Sequence, residues 1–424
     1  MWDIDTVGPE ALVGGQVSSS TRLTQPDDSG VLRMESRLCR TQQVTVTRNL
    51  FSPGNPVLRD SLACRKALVV ISPSVDRLYG RGIMDYFASQ PGWPPVEFMV
   101  LHRSEASKSL EAVVEVCERA AAAGLRRTAP IVAIGGGVCC DICGLAAALY
   151  RRGTPHIKIP TTLVGLVDAG IGIKNAVNHG GRKSALGSFH SPEHSLLDVG
   201  FLASLPRRQL ANGFAEIIKL AVVCDPELFS LLASNAVTLI ESGFREPASA
   251  AMRTIWLSVA DMLGELSQNL FEHTDFRRKA DFGHTFSPHI EIASGHSILH
   301  GEAVAMDIAL SAEIARELGL LAEEDLDRIL SLIQAVGLLL TWPRMSVEAL
   351  WASLPGIVNH RDGDLHLVVP TAIGACVYLG IEAVSPQLLR TCTDRLTRRP
   401  ARPPTRVRGL PGSLRPGALS DLRR

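Results

Sequence analysis

Four apolar residues, Ile131 to Ile134, stop at three glycines, Gly135, Gly136 and Gly137, and a helical pattern from Asp141 to Tyr150 follows before a second strand-like run, Ile157 to Pro160. Few folds accept that order. A strand ending on glycines and feeding a helix lets the backbone approach a pyrophosphate, and the helix N-terminus favours negative charge there. The spacing is GGGxxxD rather than GxGxxG, so the usual dinucleotide fingerprint is not met and a purely structural turn remains open. Thr161, Thr162, Asp168, Lys174 and Lys183 come directly afterwards, a polar cluster that reads as a reaction site beside the glycine turn.

The flanking chain supports an α/β assignment. Val44 to Thr47, Ala67 to Ile71 and Val96 to Leu101 read as strands, with helices over Val75–Phe87 and from Ser104 to about Gly124. Strands alternating with helices predict a parallel sheet. From about Leu205 the texture becomes helical: Gln209–Val223, Pro226–Ser242, Ala248–Asn269, Phe286–Ala293, Gly301–Leu318 and Glu323–Val336, with one strand pair, Leu365–Val369 and Ala375–Tyr378. The expected organisation is an unstructured extension over 1–35, an α/β domain over 36–204, a mostly α-helical domain over 205–390 and a basic, Pro-rich unstructured tail over 391–424.

Composition narrows the function classes. Forty-three Lys and Arg balance 43 Asp and Glu, so no overall field favours nucleic acid or a membrane surface. No apolar run approaches the ~18 residues of a membrane span, and MWDIDTVGPE lacks the pattern of a secretion signal. Nine cysteines without framework spacing read as reduced thiols of a cytoplasmic protein. Cys140 and Cys143 form a CxxC beside Cys139, but no partner pair accompanies them, and packing near a cofactor explains them better than zinc or redox chemistry.

Three residues suit a catalytic metal. Glu216 lies in the apolar stretch Gly213 to Lys219, where an unpaired carboxylate would be costly. His284 follows Asp281-Phe282-Gly283, and His300 sits in Leu299-His300-Gly301-Glu302. Two imidazoles and a carboxylate leave coordination positions open for substrate. Spacing alone does not separate them from chance histidines such as His102, His156, His190 or His289.

Several ordered motifs now coincide. GGGVCCDICGLAAALYRRGTPHIKIPTTLVGLVDAGIGIKNAVNHGGRKSALGSF, FAEIIK, DFGHTFSPHIE and LHGEAV together resemble the sugar phosphate cyclases, whose best-known members are the dehydroquinate synthases. The resemblance runs from about Val44 to Leu388. It implies a Rossmann-like NAD-binding α/β domain followed by a mostly α-helical metal-binding domain, with bound NAD and a divalent metal, Zn²⁺ or Co²⁺. By position it places the metal on Glu216, His284 and His300. NAD contacts fall on Glu105, Lys108, Gly135, Gly136, Gly137, Asp141, Thr161 and Thr162. Substrate contacts fall on Arg152, Asp168, Lys174, Lys183, Lys219 and Arg277, with Asp281 and His360 as further catalytic candidates. The same resemblance implies a second copy as partner, in a homodimer.

Departures from the dehydroquinate synthase pattern point to a particular substrate. Pro288 stands where that enzyme has a second histidine, Asp281 where it has asparagine, Met262 or Leu263 where it has lysine, and His360 in place of a C-terminal lysine. Loss of cations and donors argues against a carboxylate-bearing heptulosonate phosphate. DFGHTFSP, ELSQNLFE and HRDGDLHLVVP resemble instead the 2-epi-5-epi-valiolone synthases, which cyclise sedoheptulose 7-phosphate by transient oxidation, loss of phosphate, re-reduction and intramolecular aldol closure. Alternatives are a 2-epi-valiolone, desmethyl-4-deoxygadusol or 3-dehydroquinate synthase, a metal-dependent polyol dehydrogenase, and an inactive binding relative. Ser72 and Ser184 also depart from the family, replacing an acidic residue and an asparagine; Asp76 is a candidate substitute for the former.

Overall fold

The computed structural model describes residues 17–24, 33–94, 96–273, 277–295, 297–360 and 363–400. Its first half contains β1 (Val17–Thr24), β2 (Arg33–Arg40), β3 (Gln43–Thr47), α1 (Val57–Leu62), β4 (Leu68–Ile71), α2 (Pro73–Ala88), β5 (Glu97–Val100), α3 (Leu110–Ala122), β6 (Ile131–Gly135), α4 (Gly137–Leu149), β7 (His156–Pro160), β8 (Lys174–His179), β9 (Arg182–Phe189) and β10 (His194–Asp198). Six strands form one parallel sheet in the order β3-β10-β7-β6-β4-β5. Strands β4, β6, β7 and β10 are buried along their whole length, which is why β4 and β6 read as continuous apolar runs.

One sheet face packs on α1 and α2 through Leu58, Val75, Ile83 and Phe87. On the other, α3 and α4 cover β4 and β6 through Val113, Val116, Ile142 and Cys143. The rest of that face meets the segment holding Leu163, Leu166, Val167 and Ile171, which joins the core of the second half.

The second half comprises α5 (Arg207–Val223), α6 (Pro226–Ser242), α7 (Ala248–Gln268), α8 (Ser287–Ala293), α9 (His300–Glu317), α10 (Glu323–Ala335), α11 (Val347–His360), the antiparallel pair β11 (Leu367–Ala372) and β12 (Ala375–Leu379), and α12 (Pro386–Arg398). Helices α5 and α9 run through its centre, buried on nearly every side from Leu210 to Val223 and from Gly301 to Ala315. They touch where Gly301 N–H donates to Asn212 Oδ1 at 2.7 Å. A β-carbon at Gly301 would collide with the Asn212 carbonyl oxygen, so glycine is what permits this crossing.

The α/β and helical halves match the expected fold class, with local differences. Strands β1 and β2 pair antiparallel where an unstructured extension was expected, in a register that sets Ser20 opposite Arg37 and Thr21 opposite Ser36. Strand β10 was not anticipated, because HSLLD lacks β-branched residues; neighbours on both sides hold it. Residues 391–398, expected to open the tail, belong to α12, whose Leu389, Cys392, Thr393 and Leu396 make a buried stripe. Residues 1–16 and 401–424 and the side chain of His360 fall outside the described part, as do Arg361 and Asp362.

Candidate active site

The glycine turn positions the first group of residues. Helix α4 starts at the third glycine, with Gly136 as its N-cap. A β-carbon at Gly135 would lie 2.7 Å from Cys139 Cβ, so glycine lets α4 turn directly off β6. One turn along, Asp141 Oδ2 takes an ion pair from Lys108 Nζ at 2.5 Å. Burial raises the Asp141 pKa against the pull of Lys108 and Lys158. Asn178 of β8 secures the neighbouring segment, its Nδ2 donating to the Glu105 carbonyl at 3.0 Å and its backbone N–H to Lys108 O at 2.8 Å. Cys139, Cys140 and Cys143 are buried free thiols, as the packing explanation requires. Ser184 N–H donates to Asn178 Oδ1 at 2.9 Å from a backbone φ of +52°, a left-handed conformation in which asparagine is far more at ease than serine. Ser72 caps no helix N–H; its Oγ faces Ser74 Oγ at 3.4 Å.

Across the cleft, α5 projects Glu216 and Lys219, one turn apart, from its buried face. Glu216 Oε1 lies 3.2 Å from His300 Nε2 and 3.6 Å from His284 Nε2, and one donor atom from each residue falls within 4.8 Å of the others. Among the described residues, this is the group of His, Cys, Asp and Glu side chains able to hold a metal ion. Lys219 Nζ is 2.6 Å from Glu216 Oε2, yet neither carboxylate oxygen makes a hydrogen bond of ordinary geometry. A fully buried carboxylate oxygen, Oε1, without a hydrogen bond of ordinary geometry and facing two imidazoles, is what a cation site provides.

The imidazoles are oriented from behind. His284 Nδ1 donates to Phe282 O at 3.1 Å, and His300 Nδ1 to Glu291 Oε1 at 2.9 Å, leaving both Nε2 atoms directed inward. Burial and Lys219 push His284 down to about 4. His300 is raised to about 9, burial being outweighed by Glu216 and Glu291. Glu216 stays well below the usual carboxylate range: burial opposes ionisation, but Lys219, His284 and His300 prevail. Glu291 also holds Lys183 at 2.9 Å, joining β9 to the histidine cluster.

Cations line the same cleft, a cavity of about 710 Å³. Lys174, Lys183, Lys219 and Arg278 border it with Asp168, Asp281 and Met262. Burial, then Arg278, pushes Lys174 down to about 8, against Asp281 and Asp168. Glu272 pairs with both Lys174 and Arg278, and Arg278 reaches Asp281 Oδ1 at 2.7 Å.

Thus Glu105, Lys108, Gly137, Asp141, Thr162, Asp168, Lys174, Lys183, Lys219 and Asp281 share one cavity with Glu216's two histidines. Gly135, Gly136 and Thr161 lie just behind its wall, Thr161 N–H bonding to Gly135 O at 2.9 Å. Arg277 does not line it; the neighbouring Arg278 does, while Arg277 faces a separate hollow beside β12. Arg152 is exposed, one residue before Gly153, and outside the cleft. Pro288 is an exposed first-turn proline of α8, also outside the cleft. Sequence reasoning missed Glu291, Glu272 and Arg278. For Glu291 a signal existed: a carboxylate in the apolar run IEIA, seven residues after His284.

The 3-dehydroquinate synthase N-terminal family model matches residues 98–212 and the C-terminal model residues 213–355. The chain is 43% identical over 347 residues to the 2-epi-5-epi-valiolone synthase of Streptomyces hygroscopicus subsp. jinggangensis, covering 79% of this chain and 83% of the relative. Against the 2-epi-5-epi-valiolone synthase of Streptomyces glaucescens it is 41% identical over 364 residues, 84% of this chain and 91% of that one. The solved structure of the S. hygroscopicus enzyme, with NAD⁺ and Zn²⁺ bound, matches with a TM-score of 0.79 and 41% identity, over 84% of this chain and 97% of that chain. A 2-deoxy-scyllo-inosose synthase, 22% identical with a TM-score of 0.70, shares the fold over 88% of this chain and 100% of its own. Motifs, fold and matched relatives agree, and the chain belongs to the dehydroquinate synthase family of sugar phosphate cyclases.

Proposed function

We propose that this enzyme converts sedoheptulose 7-phosphate into 2-epi-5-epi-valiolone and inorganic phosphate, acting as a carbon–oxygen lyase with NAD and a divalent metal, Zn²⁺ or Co²⁺, in the biosynthesis of C7 cyclitols. The observation that carries this reading is the cleft wall, where four cations stand near the Glu216, His284 and His300 cluster while Met262 and the acidic Asp281 face the same space. Those cations suit a phosphate monoester. A second anionic group on the substrate would meet Asp281 and Met262 rather than a donor.

Bound NAD supplies a reversible hydride acceptor, and a metal held by Glu216, His284 and His300 supplies a Lewis acid. The chain's own groups do the rest. Lys108, paired with Asp141, and the first turn of α4 hold the dinucleotide. Lys174, Lys183 and Arg278 hold the substrate phosphate and stabilise the charge it gains as its ester bond to C7 breaks and the C6 proton departs to a phosphate oxygen. Lys219 and Asp168 orient substrate hydroxyls. The hydride removed from C5 is returned to C5, so no net oxidant is consumed, and ring opening followed by aldol closure completes the carbocycle.

A balanced charge supports neither nucleic acid nor a membrane surface as partner, and nine free thiols fit a reducing, cytoplasmic setting. We also propose a homodimer. Met34 and Leu38 of β2, 68% and 59% exposed, offer apolar surface for a second copy, and sedimentation of the full chain as a monomer would exclude it. The site assignment is tested by His284→Ala, which is expected to abolish bound metal and turnover together. Retained turnover would refute the metal assignment.

A further inference from the structure

Four successive carbonyls in the turn between Asp168 and Lys174 are each held by a side chain from the sheet beneath. Lys158 Nζ donates to Ala169 O at 3.1 Å and to Gly172 O at 3.0 Å. Ser195 Oγ donates to Gly170 O at 2.6 Å, and Gln42 Nε2 to Ile171 O at 2.7 Å. The donors come from three adjacent strand lines. Lys158 on β7 stands opposite Ser195 on β10, Ser195 stands opposite Val44 on β3, and Gln42 lies two residues before Val44. Strand alternation therefore puts all three on one sheet face. They lie under the part of that face that the turn itself covers, with α4 beside Lys158.

Lys158 is the costly member of this set. It is 0% exposed, and an ammonium in a sheet core is unfavourable unless its hydrogen bonds and charge are matched. Asp141 and Asp168 lie close enough to oppose the lowering of its pKa by burial. Each of those acids borders the cleft, whereas Lys158 does not.

We propose that Lys158, assisted by Ser195 and Gln42, is a positioning residue that fixes the turn so that Asp168 and Lys174, at its two ends, meet the substrate in one constant arrangement. The inference rests on the assignment of Asp168 and Lys174 to the substrate. Lys158 touches no reacting atom; it acts through the carbonyls it holds.

The test uses the full chain loaded with NAD and metal, comparing K158M, K158Q, S195A and K158M/S195A with D168N and K174M as controls. K158M is expected to lower kcat/KM for sedoheptulose 7-phosphate by about ten- to a hundredfold, chiefly through KM, with metal content and NAD affinity unchanged. K158Q, whose amide still donates, recovers part of the loss. The double variant falls short of the sum of the single losses, since both release the same turn. If K158M fails to fold, S195A, which frees one carbonyl, must still raise KM without loss of metal or NAD. Wild-type KM in K158M or S195A overturns the proposal, and so does a parallel loss of metal and NAD affinity. If D168N and K174M leave KM unaltered, the substrate-site assignment itself fails. If they raise KM while K158M and S195A do not, only the positioning role fails.

Discussion

His300 shows how much of this site depends on residues that touch neither substrate nor metal. Its Nδ1 is bound by Glu291 at 2.9 Å, and Glu291 is bound in turn by Lys183. Removing the carboxylate frees the ring to rotate and take the other tautomer. Glu291→Ala is expected to weaken metal binding by about 10- to 100-fold, read by competitive chelator titration; unchanged affinity would show that the ring is held by packing alone. Lys174 carries a pH dependence. Burial and Arg278 hold it down to about 8, so it is a cation below that pH and loses its charge above it. Phosphate binding through Lys174 is therefore present at pH 7 and lost as pH rises past about 8, and kcat/KM should fall on that limb. Lys174→Arg, which does not titrate there, should move the limb upward, and an unmoved limb would assign it to another group. At this scale the sequence was legible where a motif marked the residue, as with Glu216, His284 and His300. It was not legible where geometry alone decides. Arg277 and Arg278 are adjacent and chemically identical, and only the backbone path out of Arg278 into the Lys279–Asp281 turn sends one into the cleft. Lys158 sits in an apolar strand with nothing local to reveal which carbonyls its side chain would meet.

The crossing of α5 and α9 is the element-scale equivalent of those contacts, because Glu216 comes from one helix and His300 from the first residue of the other. Gly301, directly after His300, lies against the Asn212 carbonyl, and its N–H bonds the Asn212 side chain. Gly301→Ala forces these helices apart. It is expected to cost about 1–3 kcal/mol of stability and to lower metal affinity as well, measured by thermal unfolding and metal content. Stability lost with metal affinity intact would mean that the ligands follow their helices independently of this crossing. Long amphipathic elements such as α6 were legible from their period of apolar residues, the expected Pro226–Ser242 being the observed helix. The strand pair β8 and β9 escaped notice because its residues are mostly polar and, on β9, exposed. It carries Lys174 and Lys183 to the cleft, while Val177 of β8 joins the core beside α4.

For the whole molecule, the α/β half and the helical half each supply part of one site, and neither part suffices. The glycine turn and Asp141 belong to the first, Lys219 and the cluster of Glu216, His284 and His300 to the second, and the cleft between them is lined by both. Fold class was legible because alternating strands and helices followed by long helices leave few arrangements. Substrate choice was legible only by comparison with a related pattern, through Asp281 and Met262, since no local rule links an absent cation to a particular sugar. The central claim is a redox-neutral loss of phosphate from an uncarboxylated heptulose phosphate. Its most direct test incubates the purified chain with sedoheptulose 7-phosphate, NAD and Zn²⁺ or Co²⁺, following phosphate and the absorbance of NADH together. Phosphate release without net NADH, abolished by chelation and restored by the metal, with the product identified by NMR as 2-epi-5-epi-valiolone, is the expected result. Accumulating NADH, or phosphate released only from the 3-deoxy-heptulosonate 7-phosphate, would contradict it.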